Sequence, residues 1–480
     1  MANLGSDDTP SEGESFGLPS GWALVENADG EIVIEDSGGN VVFRRDETAG
    51  EWVTDSIDAE SVDMQSGTIQ TESDEPDGIA RVSQVQDAGD SAIFTDGTEP
   101  PVPESDAIWF ETTGETSVPE EWSYEAGNSV RSGGVYVPEQ DLVVFGSDDE
   151  NVYGINAIDG IEEWSFSTGD FVQSGGVYVP EQDLAVFGSH DNNIYGINAI
   201  DGTEEWSYAT EDRVQSGGVY VSEQDLVVFG SDDDNVYGIN VTDGTEEWSY
   251  ATEDRVRSGG VYVSEQDLVA FGSDDENVYG INVTDGAEEW SYAAGGNVQS
   301  GGVYVPEQNL VAFGSGFGDE NIYGINAIDG TEEWSYAAGD IVESGGVYAD
   351  EQDLVVFGSD DDNVYGINVT DGTEEWSYAT GSSVQSGGVY VSEQDLAIFG
   401  SNDDNIYGIN AINGTEEWSY AAGSGVESGG VYVPEQDLVA FGTGLGNVDG
   451  IGTIPEYVLD GYNAIHTTNA DTDAWVGENA

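Results

Sequence analysis

Any chemistry in this chain would have to come from carboxylates. There are 98 Asp and Glu against 7 Arg, no Lys, 2 His and no Cys. Oxygen-rich loops suit Ca²⁺, which takes six to eight oxygen ligands. The densest are Ser231-Asp-Asp-Asp-Asn235 and Ser359-Asp-Asp-Asp-Asn363. They lack the 12-residue spacing of a calcium loop, and acidic loops are the rule on this surface, so a solvated face is the favoured reading. No cofactor is expected; Ca²⁺ in these loops is the less favoured alternative. His190 and His466 stand far apart and make no metal pair. No Gly-x-Ser-x-Gly elbow, phosphate loop or His-Glu-x-x-His is present. Without cysteine there is neither disulfide nor thiol chemistry. Asn240, Asn282, Asn368 and Asn413 sit in Asn-x-Thr sequons, of which only Asn413, in a turn, is a fair glycosylation candidate. A non-enzyme is therefore expected.

The elements that carry these residues repeat. Trp122, Trp164, Trp206, Trp248, Trp290, Trp334, Trp376 and Trp418 recur every 42 residues, with one interval of 44. Ser-Gly-Gly-Val-Tyr recurs eight times, from Ser132 to Ser428. A fixed period near 40 residues marks a solenoid or propeller. Within a period, four apolar runs such as Gln173–Val179, Leu184–Gly188, Ile194–Ala199 and Glu204–Tyr208 are separated by turn formers, including the hairpin signal Asp201-Gly202. Nothing shows a helical period. The expectation is all-β: an eight-bladed propeller of four-stranded antiparallel blades.

Tyr237-Gly-Ile-Asn-Val-Thr-Asp-Gly-Thr-Glu-Glu-Trp248 resembles the tryptophan-docking repeat of pyrroloquinoline-quinone-type propellers. Asn240 stands where that family usually has Asp, as do Asn198, Asn282 and Asn326. The resemblance spans about residues 106–445. It implies an innermost Ser-Gly-Gly strand and an outermost Trp strand. Glycines there suit crowded backbone near an axis. Two closures remain open: Glu120–Glu125 completing the last blade, or a degenerate C-terminal copy at Tyr462-Asn-Ala-Ile465 with Trp475. In enzymes of the family the quinone needs cationic partners and long insertions. Here the repeats carry Arg131, Arg213, Arg255 and Arg257 alone and run almost uninterrupted, so a quinone-dependent dehydrogenase ranks last.

A net charge of −91 would strain a compact fold at ordinary salt. At 1 M salt the Debye length is about 3 Å and the repulsion is screened. The composition reads as that of an extreme halophile. It disfavours nucleic-acid backbones and anionic lipid heads. No apolar run approaches a membrane span. The N-terminus, MANLGSDDTPSEGESF, is no secretory signal, and Arg44-Arg45 precedes no apolar stretch. Synthesis in the cytoplasm of a high-salt cell is expected, with a virion or the cell surface as final location.

Residues 1–18 are expected to be a disordered acidic N-terminus, 19–96 a small β module, and 97–105 a Pro-rich linker. Residues 106–443 are expected as the propeller and 444–480 as a C-terminal extension, with Gly444–Asp460 an insertion. The N-terminal module is a candidate for attachment to a larger assembly.

Comparing the copies with one another separates two faces. The Pro-Glu-Gln-Asp and Asp-Gly-Thr-Glu-Glu turns barely vary and fall on one face. The loops before the inner strand and after the second strand vary and fall on the other. Function usually sits on loops held by a rigid scaffold. Phe171, His190, Arg213, Arg255, Phe317 and Ile341 are the candidate binding residues of that face, with Phe171, Phe317 and Ile341 expected to be exposed. Arg131, Gln173, Gln215, Arg257, Gln299, Glu343, Gln385 and Glu427 each precede Ser-Gly-Gly and are expected to ring the channel mouth as a formally neutral set. The leading expectation is a binding or adhesion protein of a halophilic archaeon or its virus, a surface, tail-fibre or spike component. Its ligand would be a protein or an envelope glycan. An intracellular protein-interaction scaffold comes second.

Overall fold

In the computed structural model, residues 118–453 are described throughout and form one compact unit, Val118–Thr453. Outside it only short strands are described. Ala23–Glu26, Ile32–Glu35, Val41–Arg45 and Trp52–Thr54 pair as an antiparallel sheet. Ser61–Asp63, Thr68–Thr71 and Ala80–Ser83 also pair antiparallel in order, and Ala92–Thr95 is a further strand. The expected N-terminal tail, the linker and the Tyr462 copy lie outside the described residues.

The unit is an eight-bladed β-propeller of four-stranded antiparallel sheets. The innermost strands of blades 1 to 8 are Val135–Val137, Val177–Val179, Val219–Val221, Val261–Val263, Val303–Val305, Val347–Ala349, Val389–Val391 and Val431–Val433. Blade 3 shows how the repeat dictates the rest. Leu226–Gly230 is buried at every position, because both its faces meet neighbouring blades. The third strand, Asn235–Asn240, is nearly as buried, whereas the outer strand, Glu246–Ala251, buries only Trp248. Among the described residues the only helical pieces are eight 3-10 turns, such as Ser222–Gln224, each followed by a left-handed Asp or Asn. Asp and Asn bear that conformation better than most side chains.

The tryptophan is the clamp between blades. Trp248 pairs with Gly238 across the bulged outer pair of strands, and a Cβ on Gly238 would lie 2.3 Å from its ring. The other side of the ring meets Gly286 of blade 4, at φ +70. Its Nε1–H donates to the Val283 carbonyl at 2.7 Å. Near the axis, a Cβ on Gly217 would lie 3.3 Å from the Gly259 Cα of the next blade and 4.0 Å from the Gly175 Cα of the preceding one. Ser216 Oγ, fully buried, accepts from Gly230 N and donates to Gly230 O. That pair of bonds fastens the strand lead to its blade.

Glu120–Glu125 closes the ring. It pairs antiparallel with Asn447–Gly452, Trp122 facing Gly450, and becomes the outer strand of blade 8. Asn447–Gly452 is the regular third strand of that blade, although it falls in the stretch the repeat suggested was an insertion. Two changes hid it: Asp449 replaces the usual Tyr and Gly452 the usual Asn.

Candidate binding face

The two variable loop classes meet on one face through short backbone bonds. His190 N donates to Phe171 O, Asp232 N to Arg213 O, Asp274 N to Arg255 O and Asp360 N to Ile341 O, each at 2.8 Å. The two uniform turns meet on the opposite face, where Val241 N donates to Asp225 O.

The acidic loops are held by their own carboxylates. Asp233 Oδ2 accepts from Glu211 N and Tyr237 Oη, and its Oδ1 accepts from Asn235 N and Nδ2. Asp361 repeats this, accepting from Gly339 N, Tyr365 Oη and Asn363 N. These oxygens are engaged in shaping the loop. Among the described residues no three His, Cys, Asp or Glu side chains gather as a metal-holding group.

The positions before Ser-Gly-Gly do form a ring, and five of its eight residues reach the neighbouring blade's loop. Gln173 Nε2 donates to Asp148 at 2.8 Å, Gln299 Nε2 to Asp274 at 2.6 Å and Gln385 Nε2 to Asp360 at 3.3 Å. Arg257 grips Asp232 with two bonds, at 2.7 and 2.9 Å. This contact raises the guanidinium pKa further, against the opposing effect of burial. Gln215 Nε2 reaches His190 Nε2 at 2.8 Å. The mouth is thus a double tier. The second tier, Asp148, Asp232, Asp274 and Asp360, adds four carboxylates to a ring that is neutral by itself. The sequence carried a signal for it: the partners lie 25 residues apart in each of these pairs.

Blades 5 and 8 break the pattern, because Gly316 and Gly444 stand at the second-tier position. Arg131, which would face Gly444, pairs instead with Glu427 at 3.2 Å and lies 3.9 Å from Asp148. Glu343, which would face Gly316, keeps a carboxyl raised first by burial and then by the charges of Asp360 and Asp274, with Arg257 opposing. Asp360 is raised for similar reasons, burial first. The residue after each of these glycines is a bare apolar side chain: Phe317 is 73% exposed and Leu445 70%. Leu445 was not singled out by sequence.

The candidate patch separates into three. Phe171, 38% exposed, stacks obliquely on His190, ring centroids 5.8 Å apart. Arg213, in the next loop around the ring, lies close enough to lower the His190 pKa, second to burial. Arg255 is engaged with Asp274 at 3.1 Å and Asp254 at 3.6 Å. Phe317 stands apart on blade 5. Ile341 corrects the expectation of exposure: it is 6% exposed. Its loop bonds match those of Phe171, and burying its apolar side chain is favourable, whereas Phe171 is held outward against His190. On the opposite face the turns expose Ile158, Ile161, Ile200, Ile328 and Ile412, apolar positions that turn uniformity concealed.

The fold and face define an eight-bladed propeller with a charged, loop-built axial mouth. A family profile described as outer membrane protein assembly factor BamB matches residues 115–255, 148–301 and 318–453, and the chain belongs to this pyrroloquinoline-quinone-type repeat family. Similar solved structures share the fold. BamB from Moraxella catarrhalis is 14% identical, with a TM-score of 0.58 over 70% of this chain and 99% of that one. The computationally designed Ika8 is 16% identical, TM-score 0.59, covering 69% and 98%. Sqt1 of Saccharomyces cerevisiae is 14% identical, TM-score 0.61, covering 70% and 98%. No curated protein matches the chain. No helix among the described residues is long and apolar enough to cross a membrane.

Proposed function

We propose that the propeller is a non-catalytic binding module that recognises its ligand through the variable face, in the adhesive apparatus of a halophilic archaeon or its virus. The observation that carries this reading is the placement of cations. All four arginines of the propeller, Arg131, Arg213, Arg255 and Arg257, lie at one mouth of an otherwise acidic unit. Exposed Phe171, Phe317 and Leu445 lie on the same face. Loops on a rigid scaffold are where recognition is usually built. The family's description as an assembly factor fits a role in contacts rather than turnover. A quinone would need several cations for its carboxylates, and three of the four arginines are already committed to Asp or Glu. An intracellular interaction scaffold is the second reading, favoured by the isoleucines exposed on the opposite face.

The test is binding of the full chain to cell envelopes of halophilic archaea in molar salt, beside a triple variant Phe171→Ser, Phe317→Ser, Arg213→Ser. Saturable binding lost in the variant supports recognition by the variable face. Binding that survives moves the site elsewhere, and no binding across a broad panel of envelopes promotes the scaffold reading.

A further inference from the structure

Arg213 differs from the other three arginines of the mouth. Arg131, Arg255 and Arg257 each hold a carboxylate within 3.2 Å, while Arg213 is exposed and makes no ion pair among the described residues. Its neighbouring acid, Asp212, accepts from Arg213 N at 2.9 Å and makes no ion pair with the guanidinium, unlike Asp254 beside Arg255. Asp170 is turned onto Phe171 N in the same way. In a chain with 98 acidic residues and 7 cations, a guanidinium left open is a group available to an outside anion.

Two more groups frame it. Phe171 offers an exposed aromatic surface, braced against the His190 ring. Gln215 Nε2 donates both to Gln173 Oε1 and to His190 Nε2. His190 Nε2 is then the acceptor, so the ring proton sits on Nδ1, which has no partner among the described residues. The corner therefore presents a flat apolar surface, one neutral N–H donor and one fork of cationic donors. A planar guanidinium matches a carboxylate with two parallel bonds. The apolar face of a sugar ring suits the phenyl surface, and a ring hydroxyl suits the N–H.

We infer that the Phe171–His190–Arg213 corner binds a carboxylate-bearing sugar, a uronic acid residue of an acidic saccharide. This rests on the reading of the variable face as the recognition surface and names the chemistry it takes. Arg213 holds the carboxylate, Phe171 packs on the ring and His190 Nδ1–H meets a hydroxyl. Long-range attraction contributes little, because the surrounding surface is acidic and molar salt confines charge effects to about 3 Å. Recognition is by contact.

Calorimetric titration of the full chain in 2 M KCl with an oligoglucuronate tetramer tests this. A glucose tetramer and tetraglutamate serve as neutral and peptide probes. Saturable binding of the glucuronate is expected, at least tenfold tighter than either other probe. Arg213→Gln, which keeps length and hydrogen bonding, is expected to weaken it about tenfold and Phe171→Ser several-fold. Ile200→Ser on the opposite face is expected to leave it within twofold. Circular dichroism of each variant separates lost binding from lost fold. No binding of the glucuronate, equal binding of tetraglutamate, or an unchanged affinity in Arg213→Gln overturns the inference. If envelopes bind through the variable face but the glucuronate neither binds nor competes, the sugar class falls and the face stands.

Discussion

Asp449→Asn is expected to stabilise the propeller at neutral pH and to do nothing at pH 4. Asp449 sits in the third strand of the closing blade, 2% exposed. In blade 3 the equivalent Tyr237 donates to Asp233 of the loop. Blade 8 has changed both partners: Asp449 replaces the tyrosine and Leu445 the loop aspartate. The carboxylate is left with Ser123 Oγ, 2.6 Å away on the strand that closes the ring. Burial pushes its pKa from the ordinary 3.8 up to about 6, with Glu120 adding to the rise and Ser123 opposing it. A carboxylate raised on folding binds more protons in the folded state than in the unfolded one. Stability is therefore greatest below the ordinary value and is lost as pH climbs towards 6. The gap corresponds to about 3 kcal/mol above pH 6. Asparagine keeps the shape and the acceptor for Ser123 without the charge. Unfolding midpoints of both proteins, measured from pH 4 to 8 at constant molar salt, should coincide at the acid end. They should diverge with pH, the variant ending higher by about 5 °C. Every other carboxylate is shared, so the difference isolates this one. Parallel curves across the whole range would mean Asp449 ionises without cost and would refute the reasoning.

The double-tier mouth predicts that Arg257→Gln is tolerated within about 1 kcal/mol, because Gln299 already makes the same contact with Asp274. Arg257→Ala leaves the buried Asp232 carboxylate unpaired and should cost about 1–3 kcal/mol or more by denaturant titration. Gly238→Ala places a methyl 2.3 Å from the Trp248 ring. Overpacking of this kind costs about 1–3 kcal/mol, which a lowered unfolding midpoint would register; an unchanged midpoint would show the ring free to move. Removing residues 1–126 takes away the closing strand and bares the edge of Asn447–Gly452. An open strand edge templates association, so this variant should form larger species by light scattering, whereas removing 1–117 should not.

The period of the tryptophans and the glycine-rich inner strand made the blade legible, because both answer to backbone geometry. Trp248 fits only between Gly238 and Gly286, and Gly217 only where inner strands crowd. The pairing of variable loops on one face followed from the same strand alternation. Exposure of single side chains did not follow. Phe171 and Ile341 occupy matching positions, yet one is braced on a neighbouring imidazole in the open and the other is buried. The second tier went unseen as a tier because its Asp residues resemble every other acid of the chain until the 25-residue pairing is laid out in space. The closing blade was obscured by its own repair: once Asp449 and Gly452 replace Tyr and Asn, the strand no longer reads as a repeat.

The same comparison shows where this protein is free to change. A second-tier residue and the ring residue facing it are supplied by neighbouring blades, and a duplicated blade brings one half of each pair. Where both halves match, as in Gln299 with Asp274, the mouth is satisfied internally. Where a half is missing, as opposite Gly316 and Gly444, an apolar side chain rises beside the gap, and Arg131 turns from the missing acid to the ring residue Glu427. Where arginine replaces glutamine in the ring, Arg257 takes both oxygens of Asp232, and Arg213 is left without the carboxylate that Arg255 finds in Asp274. Departures from the repeat thus convert internally paired charge into groups that face outward. In a propeller whose scaffold is held by identical clamps at seven seams, such departures alter the surface without touching what holds the ring together.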